Sequence, residues 1–156
     1  MDPKKKLRRV RFSRQFSAPR SKVFDLFASH ARFGAALGGP AGEKLGLIQR
    51  VQTSPDTKHP DGVGSVRRIG FGPTAFEETI VTCQPHSLIE YVISKGSPLK
   101  NHRGHIVFRD VPGGTQVDYE ISFEPRIPGT GGAIAVVLHT LVSGGLNRIE
   151  NEFGAL

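Results

Sequence analysis

Residues 115–124, TQVDYEISFE, put Val117, Tyr119, Ile121 and Phe123 on one side of an extended chain and Gln116, Asp118, Glu120, Ser122 and Glu124 on the other. Successive side chains of a β-strand point to opposite faces, so this two-residue period predicts a strand with one face in a core and one in water. It is the cleanest alternation in the chain, and it sets inside and outside for the rest. Immediately before it, VPGG (111–114) suits a tight turn with positive φ, and NHRGHIVFRDV (101–111) supplies a partner strand. A turn closing around 110–115 pairs Phe108 with Val117, Ile106 with Tyr119 and His102 with Phe123. The inner face then carries His102, Gly104, Ile106 and Phe108.

Four more strand candidates precede this hairpin: LGLIQRVQT, GSVRRIGFG, FEETIVTCQ and SLIEYVIS. Short breaks at GPTA, QPHS and SKGSPLK imply antiparallel neighbours, a meander, after the Pro-, Asp- and Gly-rich loop SPDTKHPDGVG. In SLIEYVIS, Ile89, Tyr91 and Ile93 face inward. At the GPTA hairpin, Phe71 opposite Phe76 puts Arg67, Ile69, Glu78 and Ile80 on one face, with Arg67 and Glu78 diagonal to each other. A one-residue slip would place Arg68 and Glu77 there instead, and both registers stay open. Cys83 is expected on the face opposite Glu78 and Ile80.

Helical spacing flanks the sheet on both sides. After the alternating strand VRFSRQF (10–16), Val23, Phe24, Phe27 and Ala31 give the i, i+3, i+4 pattern of an amphipathic helix over roughly 18–29. HARFGAALGG, which carries Phe33, predicts a second short helix ended by Gly38-Gly39, and GPAGEK reads as loop. AIAVVLHTLVSGGLNRIENEF (133–153) predicts a long C-terminal helix with an inward stripe of Ala135, Leu138, Val142, Leu146, Ile149 and Phe153. Gly144 and Gly145 each cost about 1 kcal/mol against alanine there, so they mark a kink or a close neighbour. The expected class is α+β: a curved antiparallel sheet of about seven strands wrapped around one long helix, with two short helices after the first strand. There is no repeat, and residues 10–156 read as a single domain behind a basic flexible tail at 1–9.

The net charge of +7 lies almost wholly in that tail and the first strand. Residues 1–22 hold nine Lys/Arg against Asp2, a net of +8, which leaves −1 for residues 23–156. A nucleic-acid-binding domain spreads its basic residues over a face that follows phosphates, and this one does not. The tail reads as a solvated appendage that leaves open a weak contact with polyanions. No apolar run in the sequence reaches the roughly 20 residues of a membrane span, and no apolar stretch follows the basic start as in a secretory signal. The single cysteine excludes an internal disulfide and gives no zinc motif, so a reducing, cytoplasmic setting is expected.

The stretches FSAPRSKVFDLF, GVGSVRRI, EETIVTCQPHSLIEYVI and GGTQVDYEISFEP, in that order and spacing, resemble the helix-grip (SRPBCC) superfamily, which includes START lipid-transfer domains, pollen-allergen-type proteins and polyketide cyclases/dehydrases. The resemblance covers almost everything from residue 10 to 153. It implies the helix-grip fold and a cup for a small hydrophobic molecule, a lipid or polyketide for example. Some members of the superfamily catalyse aldol cyclisation or dehydration. Membership therefore implies a cup and leaves the reaction open.

The expected ligand-binding set combines both readings. Phe27, Phe33, Leu138 and Val142 come from the helices. Arg67, Ile69, Phe71, Phe76, Glu78 and Ile80 come from the GPTA hairpin. Tyr91 and Ile93, then His102 and Ile106, then Tyr119, Ile121 and Phe123 complete the sheet. Arg67 and Glu78 are either a structural ion pair or a polar anchor for a ligand carbonyl. His102 and His105 lie three apart on a strand and so on opposite faces, which rules out a shared metal ion. No catalytic residue, metal or cofactor is assigned; no nucleophile–base pair, phosphate-cradling loop or carboxylate pair is visible. Three functions stay open: a carrier of a hydrophobic ligand, a cyclase/dehydratase using His102, Tyr91, Tyr119 and Arg67, or an interaction module with a filled core. The oligomeric state is left open.

Overall fold

The alternation at 115–124 forms the inner face of β7 in a computed structural model that describes residues 7–156. The elements are β1 (Arg8–Phe16), α1 (Arg20–Ala28), α2 (His30–Leu45), β2 (Ile48–Gln52), β3 (Val66–Ile69), β4 (Phe76–Gln84), β5 (Leu88–Lys95), β6 (Leu99–Val111), β7 (Gly114–Pro125) and α3 (Gly131–Phe153). They make one seven-stranded antiparallel sheet in the order β1-β7-β6-β5-β4-β3-β2. This is the α+β fold expected, with β1 and β2 at the sheet's edges. β1 takes in Arg8 and Arg9, which the sequence pattern assigns to the tail; the reading of residues 1–6 as a flexible tail lies outside the described residues.

Register follows the sequence where the turn is tight. Phe108 faces Val117, Ile106 faces Tyr119 and Gly104 faces Ile121. Further along, a bulge between Lys100 and Arg103 sets Asn101 and His102 together opposite Phe123, and Asn101 takes φ 51°. His102 keeps its inward place but loses the direct pairing with Phe123. The β3–β4 turn differs more. Gly70 (φ 91°), Gly72 (φ 59°) and a single 3-10 turn at Gly72–Thr74 lengthen the connection, so Ile69 rather than Phe71 faces Phe76. The shift is two residues, which preserves faces: Arg67 and Glu78 stay inward and become directly opposed, while Arg68 and Glu77 point outward. Phe71 moves onto the turn and is 52% exposed, outside the cup. A second bulge at Val81 reverses the alternation of β4, so Cys83 pairs with Ile89 and joins the core face, contrary to the sequence reading.

α1 ends one residue before Ser29, whose extended backbone (φ −83°, ψ 118°) caps α2 through an Arg32 N–H to Oγ bond of 3.2 Å. Ala31 therefore belongs to the exposed side of α2 and not to the α1 stripe. Gly39 does break α2 (φ 66°, ψ −172°), but Pro40 then opens a further helical turn to Leu45, where the sequence suggests loop. The carbonyl of Ala36, stranded by the break, accepts a 2.8 Å bond from Nη1 of Arg148 on α3. α3 packs on α2, β1 and β7. Its stripe is as read, with Val142, Leu146 and Ile149 buried and Ala135, Leu138 and Phe153 partly so.

The glycine pair in α3 resolves as a close approach rather than a kink. A Cβ on Gly145 would lie 2.7 Å from Cδ2 of Leu37 on α2, whereas one on Gly144 would meet only Nη1 of Arg148 at 3.7 Å. Neighbouring substitutions should therefore act in opposite directions. Gly144→Ala is expected to stabilise by about 1 kcal/mol through helix propensity. Gly145→Ala is expected to destabilise by about 1–3 kcal/mol through overpacking. Urea denaturation midpoints of the two variants check this.

Candidate functional site

Arg67 and Glu78 face inward from β3 and β4, 3% and 6% exposed. Nε and Nη2 of Arg67 reach Oε2 of Glu78 at 2.8 and 2.7 Å. Direct opposition across β3 and β4 makes this contact, and flanking rings enclose it. The guanidinium carbon lies 4.6 Å from the centre of the Tyr91 ring on β5 and 5.3 Å from that of Phe33 on α2. Such a desolvated cation–π contact is worth about 2 kcal/mol. Burial is the largest influence and opposes the Arg67 charge, but the Glu78 carboxylate together with the Tyr91 and Tyr119 phenols outweighs it and holds the guanidinium pKa above its ordinary value.

Two phenols close the other side. The Tyr91 ring crosses the backbone at Gly104 on β6, where any Cβ would collide with it. Its hydroxyl is hydrogen-bonded to that of Tyr119 on β7. Burial, then the neighbouring phenol, pushes the Tyr91 pKa far up, and burial raises that of Tyr119, so both remain neutral. His102 lies 5.5 Å from the Tyr91 ring. Its Nδ1 accepts the Ile93 N–H at 3.2 Å, which leaves the proton on Nε2, and burial keeps the ring neutral by lowering its pKa.

His30, the first residue of α2, is part of the same buried region and was not singled out from sequence. Its Nε2 shares a 2.9 Å hydrogen bond with Oγ of fully buried Ser65, 35 residues away. The Asp61 carboxylate accepts the His30 backbone N–H at 2.9 Å and a 2.7 Å bond from Arg50. Nδ1 of His30 has no partner, so no group orients the ring as a base, and Ser65 is sealed from any substrate. The pair is a buried polar strut between α2 and β3. Burial first, then the Arg67 charge, lowers the His30 pKa to about 4.

A family model described as "Polyketide cyclase / dehydrase and lipid transport" matches residues 8–154, which include every strand and helix. The chain belongs to that family. The fold is similar to that of Ara h 8.0201, at 12% identity and a TM-score of 0.62, covering 93% of this chain and 99% of that one. A protein from Nitrosospira multiformis aligns at 17% identity and TM-score 0.64, covering 88% and 93%. Aha1 from Colwellia psychrerythraea, whose solution structure is a dimer, aligns at 13% and 0.58, covering 94% and 96%. At these identities the likeness is one of fold. No curated protein matches the chain.

Within this family fold the seventeen expected residues separate into three groups. Phe27, Phe33, Ile80, Ile106, Tyr119, Ile121, Phe123 and Val142 are buried against one another in the core, on the side that α3 covers or beneath α1 and α2. Arg67, Glu78, Tyr91 and His102 form the polar cluster. Ile69, Phe76 and Ile93, on the β3–β5 side, are half-buried, as is Leu138 on α3; Phe71 is outside. A cleft of about 610 Å³ lies elsewhere. It runs between α1, the 54–63 loop and the β4–β5 turn, lined by Phe24, Ala28, Pro55, Val63, Cys83 and His86 among others, and contains none of the seventeen. Some of its polar groups are already engaged: Ser54 Oγ bonds to the Val63 carbonyl, Asp56 to the Lys58 N–H and Asp61 to Arg50. Burial also raises the Cys83 thiol pKa, which keeps it protonated. The concave face holds the desolvated charge, and it is the stronger candidate site. Among the described residues, no cluster of His, Cys, Asp or Glu could hold a metal ion.

Breaking the buried pair should be costly and removing it cheap. Arg67→Met is expected to lose about 3–5 kcal/mol by leaving Glu78 uncompensated, and Arg67→Met with Glu78→Leu to regain most of that, measured by thermal melting. His30 has an unfolded pKa of 6.5 and a folded pKa of about 4, so the unfolded chain binds the extra proton between those values. Its contribution is complete above pH 6.5 and is lost as the pH falls towards 4, by about 2–3 kcal/mol near pH 4.5. Urea unfolding at neutral pH and near pH 4.5 should show that loss in the native protein and a shallower one in His30→Gln.

Proposed function

We propose that the protein binds a small amphiphilic hydrophobic molecule on the open half of its concave face. The apolar body would rest on Ile69, Phe76 and Ile93, with Leu138 opposite, and the polar end would point to Arg67, Tyr91 and His102. The observation that carries this is a fully desolvated guanidinium bordered by half-buried apolar side chains. A core needs no such charge, since hydrophobic residues of equal volume usually serve stability as well or better. Donors remain around it: Nη1 of the guanidinium, one phenol O–H (the other is spent in the Tyr91–Tyr119 bond) and an imidazole Nε2–H. That set suits a ligand carbonyl, hydroxyl or carboxylate, with apolar burial supplying affinity. A lipid or polyketide fits both this chemistry and the family's description, and carriage of such a molecule is the function proposed.

A cyclase/dehydratase reading stands second, favoured by the gathering of Tyr91, Tyr119, His102 and Arg67 in one place. It is weaker because proton abstraction needs a base, both phenols are held protonated and Glu78 is locked to Arg67. The filled-core interaction module suits the β1, β6 and β7 side only.

Native mass spectrometry of the gently purified chain, followed by organic extraction, tests the proposal. A discrete adduct of a few hundred daltons is expected in the native protein. It should vanish in Ile93→Trp, which fills the ledge, and persist in Ala28→Trp, which fills the α1 cleft. The reverse pattern would move the site to that cleft, and a bare mass with no uptake of added fatty acid would overturn the proposal.

A further inference from the structure

The outward side of α3 is apolar where a solvent-facing side is normally charged. From Ile127 to Asn147 the chain has no Lys, Arg, Asp or Glu. In the first three turns of α3, Ile134, Ala135 and Leu138 turn inward, while Val136 and Val137 turn outward at 66% and 64% exposure. Ala133, Thr140 and Leu141 complete the outward stripe, and exposed Ile127 in the preceding loop extends it. Among the described residues, α3 alone is long and apolar enough, by length and composition, to cross a membrane. Its inner stripe is committed to the core, so the helix can present only its outer side.

The chain's positive charge is concentrated at the same place. Arg8, at the start of β1, lays its side chain over Gly131 at the start of α3, where an added Cβ would displace it. Lys4, Lys5 and Lys6 precede Arg8 in the sequence and add to its positive charge. Arg9 and Arg11 share the single carboxylate of Glu120, at 3.6 and 2.6 Å, and so remain net positive. A cleft of about 360 Å³ between β1 and α3, lined by Arg9, Val10, Arg11, Ala135, Val136, His139 and Thr140, joins the basic strand to the apolar stripe.

We infer that this face docks peripherally on an anionic lipid surface, with Val136, Val137, Leu141 and Ile127 entering the headgroup–acyl boundary and Arg8, Arg9 and Arg11 meeting the lipid phosphates. Either signal alone gives marginal, reversible binding, and a basic cluster beside an apolar face supplies both. A second copy packed on the same stripe would bring two basic β1 starts (Arg8, Arg9 and Arg11) together, which charge repulsion opposes. The docking stands whether or not the cup carries a ligand.

Flotation of the full chain with phosphatidylcholine vesicles, with and without phosphatidylglycerol, tests it. Binding is expected only to the anionic vesicles and should fall with added salt. Val136→Glu with Val137→Glu, both at exposed positions and checked for unchanged melting, should weaken partitioning at least tenfold; Arg8→Gln with Arg9→Gln should weaken it about 30-fold. Equal binding to neutral vesicles, or binding untouched by the valine changes, would overturn the proposal. So would self-association, or capture of an acidic protein, that the valine changes abolish while vesicle binding is absent.

Discussion

A guanidinium out of water is the constraint around which the concave face is arranged. Even after relaxation, an isolated buried ion costs several kcal/mol, so Arg67 is tolerable only with a carboxylate at hydrogen-bond distance and rings over its faces. Each neighbour answers that need. The long β3–β4 turn brings Glu78 directly opposite rather than diagonal. Phe33 arrives on α2 and Tyr91 on β5. Tyr91 can lie there only because Gly104 has no side chain, and its hydroxyl is satisfied by Tyr119. Five elements are thus fitted to one charge, which couples sheet register to helix placement more tightly than apolar packing would.

The same constraint divides the sheet. On β1, β6 and β7 the inner side chains are sealed beneath α3, α1 and α2, and the helix pair is drawn close by Gly145 and held by Arg148 on the broken end of α2. On β3 to β5 the helix does not reach as far, and Ile69, Phe76 and Ile93 stay half-buried beside the charge. A rigid, filled half carries an incompletely covered half. That division allows a ligand surface without loss of the core, because cavity costs fall where packing was never complete.

The fold was legible because strand and helix periods are written in single residues: the β6–β7 register, the stripe of α3 and the order of elements all follow from local spacing. What stayed hidden depends on events with no period. The β3–β4 offset rests on the positive φ of Gly70 and Gly72, and the placement of Cys83 on one bulge at Val81. Bulges add a residue without altering composition, so alternation read across them assigns the wrong face. The polar cluster was half visible, since Arg67, Glu78, Tyr91, His102 and Tyr119 break apolar patterns. His30 and Ser65 break none; each looks like an ordinary helix start or loop residue, and only the tertiary fold brings them to 2.9 Å.

Two inversions of ordinary burial, charge inside and bare valine outside, are joined by contact rather than separated. His139 on α3 stacks on Phe12 of β1 at 5.3 Å, Phe12 meets Tyr119 edge-on at 5.8 Å, and Tyr119 is bonded to Tyr91 beneath Arg67. Interiors at native density transmit displacement instead of absorbing it. Pressure on the outward stripe of α3 would therefore be felt at the polar cluster through two aromatic contacts and one hydrogen bond. Contiguity is only the material for coupling, because both ends must also differ in affinity between two arrangements.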